Sequence, residues 1–263
     1  MGSASRVALA TAKQRLAASP GVALATGEQL LAAARAIDSS SQLRSVLADP
    51  SVPAAEKAAL VGRIFPALDA AATRTLSGVV ESRWSNPEEL VDGIEQLGIR
   101  AIAQAAGPSA GIESEIFAFG RAVTADHELE LALGSKLGSA AAKSSLVDAL
   151  LHGKAQQGTV AIVRHLVQSP RGRRIGELLG LAASAVADAS DAVVATVTSA
   201  VRPSAAQLAA LEKIIGARYQ RALRINLIID PAIVGGLRVQ LGDEVIDGTV
   251  ASRLTELRIR LAG

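Results

Sequence analysis

The sequence predicts a mainly α protein that ends in a small α+β unit: tandem helical bundles, then a short mixed β-sheet with two helices. Three observations lead there. Apolar residues recur at steps of three and four from Ala4 to about residue 190, in alanine-rich stretches that favour helix. One block of this pattern repeats farther along the chain. Beyond Asp191 the apolar period changes to two, with β-branched runs and glycine-rich breaks.

The first helix places Leu9, Ala12 and Leu16 on one face, flanked by Arg6 and Arg15, and "SPG" at Ser19 to Gly21 ends it. Helical patterns follow in "GEQLLAAARAIDSSS", "QLRSVLADP", "PAAEKAALVGRIFPAL", "AATRTLSGVVESRWS" and "PEELVDGIEQLGIRAIAQAAG". The breaks between them fall at Pro50, Pro53, Pro87 and Gly107-Pro108, where helices stop or start.

The pattern then begins again. Leu30–Phe65 aligns with Ile116–Leu151 without a gap, and Arg35/Arg121, Leu43/Leu129, Leu47/Leu133, Lys57/Lys143, Leu60/Leu146 and Val61/Val147 are identical pairs. A one-residue shift carries Val79-Val80 onto Leu166-Val167. Two copies of one helical unit bury the same faces, whereas two unrelated alanine-rich bundles would match only by chance. The expected organisation is a first bundle at 1–108, a second copy at 109–190 and an α+β domain at 191–263. The helix at Ala4–Leu16 has no obvious counterpart in the second copy and is compatible with either.

In the last part, "VVATVTSAV" from Val193 reads as a strand. Ser204 and Gln207 form a capping box for a helix whose buried stripe is Leu208, Leu211, Ile215 and Tyr219. "RINLIID" is a strand with Ile225, Leu227 and Ile229 on one face, and "GLRVQL" turns Leu237, Val239 and Leu241 to one side. A final helix, "TVASRLTELRIRLAG", follows.

Composition excludes several classes. Lys plus Arg exceeds Asp plus Glu by 27 to 25, too little to imply a polyanion partner. Aromatics are 2%, and Trp84 and Tyr219 alone make no platform for stacking nucleic-acid bases. With no cysteine there are no disulfides or thiolate metal sites, and a reducing compartment fits. The start reads as an amphipathic helix, not a signal peptide, and the tract Leu178–Val201 is interrupted by Asp188 and Asp191, so no spanning segment is expected.

The stretch "IIDPAIVGGLRVQLGDEVIDGTV", Ile228 to Val250, invites a chemical reading because it gathers acidic residues and glycines. Each has a structural use. Asp230-Pro231 stops a strand, Gly235-Gly236 permits unusual backbone angles, Gly242-Asp243 connects a hairpin, and Asp247-Gly248-Thr249 makes a turn with Thr249 available as a cap. A phosphate cradle would need glycines before a helix and a following lysine, and a cation loop would need its oxygens within one turn. Paired carboxylates for acid–base chemistry stay formally open, with Asp230 or Asp247 as the residues whose loss would stop turnover.

These residues carry a resemblance. "VTSAV" (Val197–Val201) with "DPAIVGGLRVQLGDEVIDGTVASRLTELR" (Asp230–Arg258) resembles the C-terminal signature of the ATP synthase delta subunit family, whose mitochondrial members are called the oligomycin-sensitivity-conferral protein. Asp230, Pro231, Gly235, Gly236, Gly242, Asp243, Asp247 and Gly248 fit its pattern, and Leu237 departs from the phenylalanine that many members carry. "LADP" before "AAEKAAL", and "SPRGRR" after a helix, are similar to the family's helical bundle, which this chain carries twice, as longer actinobacterial-type members do.

The resemblance implies a non-catalytic stator subunit of the rotary proton-translocating ATP synthase, without cofactor, metal, nucleic acid or small-molecule substrate. Its expected partners are the alpha subunits of the catalytic head and the b-type subunits of the peripheral stalk, one copy per complex. It would lie at the cytoplasmic face of the bacterial plasma membrane, membrane-associated only through the complex. Leu9, Ala12 and Leu16 with Leu76, Val79 and Val80 are the expected border of a groove for an alpha-subunit segment. The rival classes are a free-standing helical adaptor and a soluble enzyme using the C-terminal carboxylates.

The other polar residues point to no reaction. His127, His152 and His165 lack ligand spacing and read as surface or loop histidines. Arg171, Arg173 and Arg174 in "SPRGRR" read either as a solvated helix start or as a contact for phosphate or an acidic partner. Trp84 reads as a packing anchor between helices.

Overall fold

The computed structural model of the chain describes residues 1–135, 138–220, 222–241 and 244–249. It divides into two compact units, Met1–Val186 and Ala187–Gly263. The fold is mainly helical with a small mixed sheet, as the periodicity predicts.

The first unit begins with α1 (Ser3–Ala17), α2 (Leu24–Ser39), α3 (Ser41–Ala48), α4 (Ala54–Ile64), α5 (Ala70–Glu81) and α6 (Pro87–Ala106). Side-chain caps fix several starts: Ser40 Oγ accepts from the Leu43 amide, Asp69 Oδ1 from Ala72, and Asn86 Oδ1 from Glu89, with Pro87 in the first turn of α6. Leu16, Leu30, Ile37, Leu47, Val61, Leu76, Leu90 and Ile94 form the centre of its core. Packing of α2 on α6 needs glycine: a Cβ on Gly27 would stand 2.6 Å from the Gly98 carbonyl oxygen, and one on Gly98 would stand 2.7 Å from Leu31.

After Gly107 (φ 80°) and Gly111 (φ 76°), α7 (Ile112–Ala125), α8 (His127–Gly134), α9 (Ala140–Leu151), α10 (Gln157–Gln168) and α11 (Ile175–Ala189) follow. Helix α8 lies 86 residues after α3 with both ends matched, and α10 lies 87 residues after α5. Burial recurs with them: Leu47 and Leu133, Val61 and Val147, and Ile37 and Val123 are all fully enclosed. Lys57 and Lys143 are also buried, at 4% and 6% exposure. One hydrogen bond repeats at the same offsets, since the Asp69 amide donates to Gln29 Oε1 at 2.8 Å and the Gln156 amide to Glu115 Oε2 at 2.9 Å.

Helix α1 completes the first set. Its Ser5 Oγ accepts from the Ser85 amide at 2.9 Å, and Ser19 and Pro20 just beyond it accept from Arg74 of α5. These contacts run α1 antiparallel to α5.

The second unit holds β1 (Ala192–Ser199), α12 (Ala205–Tyr219), β2 (Ala222–Ile229), β3 (Leu237–Leu241) and β4 (Glu244–Asp247). The sheet order is β2-β1-β3-β4. Strands β1 and β2 are parallel, from Ala192↔Ala222 to Ser199↔Ile229, so α12 serves as the crossover that parallel neighbours require. Strand β3 runs antiparallel to β1, with Val197 opposite Val239, and β4 returns antiparallel on β3. The Ser204–Gln207 capping box is formed: the Ser204 amide donates to Gln207 Oε1, and the Gln207 amide to Ser204 Oγ.

One face of this sheet meets α12 through Ala195, Val197, Val239, Leu241 and Ile215, with Leu211, Tyr219, Ile225 and Leu227 around them. Two expectations are corrected. Leu208 is half-buried and outside this cluster, one turn into the exposed start of α12. Ile229 is 43% exposed, because it is the last residue of an edge strand. The expected final helix after Thr249 lies outside the described residues, as do Gly242 and Asp243.

Candidate functional site

Three places concentrate polar or partner-like features. The first is the seam of α1 and α5. Leu9, Ala12 and Leu16 of α1 and Leu76, Val79 and Val80 of α5 are brought together there, none more than 8% exposed. They fill the joint between the helices, and the exposed side chains of these helices are different ones. Val7 is 67% exposed and Arg74 is exposed, while Gly78 is half-buried with Arg15 Nη1 lying 3.1 Å from where its Cβ would be. Trp84 closes one end of the first bundle, donating from Nε1 to the Val79 carbonyl at 2.8 Å. Its ring lies so close to Gly93 that a Cβ there would stand 2.2 Å from the indole. The anchor role read from the sequence holds.

The second place is an ionic cluster that the sequence reading did not assemble. Glu95 of α6 is 5% exposed, and its carboxylate accepts from Arg171 Nη2 at 2.9 Å, Arg173 Nη2 at 3.0 Å and His165 Nε2 at 3.1 Å. Asp92, one turn earlier, pairs with Arg171 at 2.7 Å. The other ring nitrogen of His165, Nδ1, lies 2.6 Å from Arg35 Nη1 of α2. An arginine only donates, so Nδ1 accepts, Nε2 carries the proton, and His165 is neutral. Burial lowers the His165 pKa in agreement, and although Glu95 supports the charged ring, Arg35 and Arg171 oppose it. For Glu95, burial alone pushes upward, but the His165 hydrogen bond and the charges of Arg171 and Arg173 hold it at about 2.

His165 is therefore not a surface or loop histidine, because α2, α6 and the loop after α10 enclose it to 2% exposure. Arg171 and Arg173 are turned to Glu95 instead of lying at a solvated helix start. Arg171 adopts φ 46°, and its Nε is buried with no hydrogen-bond partner among the described residues.

The third place is the glycine- and aspartate-rich signature in the second unit. Asp230 Oδ1 accepts from the Ala232 amide at 2.9 Å, and the Asp230 amide donates to the Ser199 carbonyl, which closes β2 before exposed Pro231. Gly235 (φ 70°) and Gly236 (φ 84°) adopt backbone angles that suit glycine. A Cβ on Gly236 would stand 2.5 Å from the Gly248 carbonyl oxygen, while the Gly248 amide donates to Leu237. Asp247 Oδ1 accepts from the Thr249 amide at 2.9 Å, and that backbone bond lowers its pKa. Leu241 of β3 pairs with Glu244 of β4. The signature residues that are described shape turns.

The helices are thus tied by an internal ionic cluster, and in the small sheet Asp230 and Asp247 serve turns. The family profile described as ATP synthase delta (OSCP) subunit matches residues 99–261. The chain belongs to this family, and is a structural, non-catalytic subunit of ATP synthase.

Similar proteins agree in name. The ATP synthase subunit delta of Leifsonia xyli is 48% identical over all of both chains. That of Streptomyces griseus is 41% identical, also over the full length of each. A chain in a cryo-EM structure of the Toxoplasma gondii mitochondrial ATP synthase hexamer is 23% identical, covering 64% of this chain and 95% of its own, with a TM-score of 0.42. Among the described residues no helix is long and apolar enough to cross a membrane.

Proposed function

We propose that this chain is a peripheral-stalk component that holds the catalytic head still while the central rotor turns. Without such a tie, torque would rotate the head instead of driving ATP synthesis. Such a tie needs slow dissociation and needs no bond-making side chain. The observation that carries this reading is the 48% identity to an ATP synthase delta subunit along the entire chain.

In this reading the helical unit binds amino-terminal segments of the head's alpha subunits, and the α+β unit binds the end of the b-type stalk, one copy per complex. The subunit works at the cytoplasmic face of the plasma membrane, attached only through these partners. A partner helix lies over the α1–α5 seam, with Leu9, Ala12, Leu16, Leu76, Val79 and Val80 holding the seam together beneath it. The two helical sets are read as duplicated bundles, 1–108 and 109–190, with 191–263 as the stalk-binding domain.

The test is recovery of the complex. Val7→Asp with Gly78→Asp alters the open side of the seam while leaving those six core side chains in place. The expected result is a chain of normal helicity that no longer purifies with the alpha and beta subunits. Membranes from such cells should pump protons without making ATP. Full recovery and full coupling would defeat the assignment of that seam.

A further inference from the structure

We infer that the second helical set offers no partner groove of its own: α2 occupies, from within the chain, the place between α6 and α10 that corresponds to the open seam between α1 and α5. The helical unit therefore has one such seam open to an alpha-subunit helix, not two. This rests on the α1–α5 reading above for what the open seam binds, but the filled state of the second seam stands on its own geometry.

Helix α10 is the counterpart of α5, 87 residues on. Helix α6 stands to α10 as α1 stands to α5. Arg15 of α1 covers Gly78, and Glu95 of α6 contacts His165, the residue 87 positions after Gly78. Both pairs run antiparallel. In the second, Glu95 meets His165 near one end of α10, and Ile102 packs where a Cβ on Gly158, near the other end, would stand 2.8 Å away. Helix α6 is thus shared, as the last helix of one set and the first of the next.

The two seams differ in what covers them. On α5, Arg74 is exposed and Gly78 is half-buried. Their counterparts on α10, Ala161 and His165, are 8% and 2% exposed. Arg35 of α2 accounts for the difference at His165, reaching its Nδ1 at 2.6 Å. Because α2 also packs on α6 through Gly27 and Gly98, one helix touches both walls of the second seam. Charge suits this filled state: His165 accepts from Arg35 and donates to Glu95, leaving no free valence in the ring for a partner.

The chain has no cysteine, so single cysteines report each seam in the intact protein. Arg74→Cys and Ala161→Cys are compared for their rates of thiol labelling, with circular dichroism as the check on folding. The expected result is labelling at least about 100-fold slower at position 161, the protection of a site that reacts only after local opening. Equal rates in folded chains would overturn the inference, whatever the partner is.

Calorimetric titration of the unsubstituted chain with a synthetic peptide of the first residues of the same organism's alpha subunit supplies the second arm. One site, lost in the Val7→Asp, Gly78→Asp chain, is expected. Two sites would refute the single-groove inference. Absence of binding together with slow labelling at position 161 would sink the reading of the α1–α5 seam and leave the filled second seam intact.

Discussion

His165 donates from Nε2 to Glu95 Oε2 across 3.1 Å while its Nδ1 accepts from Arg35, which joins three helices through one neutral ring. The bond spans 70 residues of sequence, and the Arg35 contact spans 130. Such a tie couples α10 to α2 and α6. It also makes stability depend on pH in a defined direction.

Both groups have folded pKa values below their ordinary ones, His165 below 6.5 and Glu95 at about 2 against 4.5. Where the folded value is depressed, the unfolded chain binds more protons between the two values, so stability rises with pH there. The contribution of His165 is complete above 6.5 and is lost as pH falls below it; that of Glu95 is complete above 4.5 and is lost towards 2. Urea midpoints should hold steady above about pH 7.5 and fall from pH 6.5 to 5.5. In His165→Gln, a neutral residue able to donate and accept, the fall over that interval should shrink. Identical slopes for the two proteins would show that His165 does not titrate as assigned.

Glu95→Gln tests the carboxylate. It leaves Arg171 and Arg173 facing an uncharged amide in a site that is 5% exposed at residue 95. Breaking one side of a buried charge cluster costs about 3 kcal/mol or more. Asp92 remains as a partner for Arg171 at 2.7 Å, which places the expected loss at the lower end. Equilibrium urea unfolding followed by far-UV circular dichroism measures it, and a loss below about 1 kcal/mol, the range of an exposed pair, would mean the cluster is solvated in solution.

The ease of reading differed between the two units for physical reasons. Turn chemistry is local: Gly235 and Gly236 at positive φ, and Asp247 accepting from the amide two residues on, follow from residue type and spacing alone. The repeat was legible because buried positions such as Leu47 and Leu133 tolerate little change in shape. The ionic cluster was not, since Arg35, Glu95, His165, Arg171 and Arg173 come from three distant segments. Each looks like an ordinary surface residue in its own stretch. The one local hint was "SPRGRR", where two of the arginines prove to be committed internally. Leu9 and Val79 read as the border of a groove, yet they are only 8% and 1% exposed, because their burial depends on how α1 meets α5, which spacing does not specify.

Gly93→Ala should disturb the single tryptophan. A Cβ at that position would stand 2.2 Å from the Trp84 ring, which is itself 4% exposed and tied to the Val79 carbonyl. The ring must shift, and overpacking of this kind costs about 1–3 kcal/mol. Because Trp84 is the only tryptophan, its fluorescence reads the site directly. A red-shifted emission and a lowered thermal midpoint are expected; unchanged emission would indicate that α6 and the indole already sit farther apart.

Gly236→Ala should act on the second unit alone. The new Cβ meets backbone, the Gly248 carbonyl oxygen at 2.5 Å and Thr249 Cα at 2.8 Å, and φ is 84°. Neither neighbour is a flexible side-chain end, so relief requires β3 to part from the segment after β4, where the Gly248 amide bonds to Leu237. Strain at φ together with a backbone clash amounts to roughly 2–4 kcal/mol, a large share of what so small a unit possesses. Amide hydrogen exchange in the full chain gives the measurement. Protection should fall along β1, β2 and β3, including Val197 and Val239, while Leu30, Leu76 and Ile94 keep theirs. Equal loss in both units would contradict their separate cores, and no loss anywhere would contradict the close approach at Gly236.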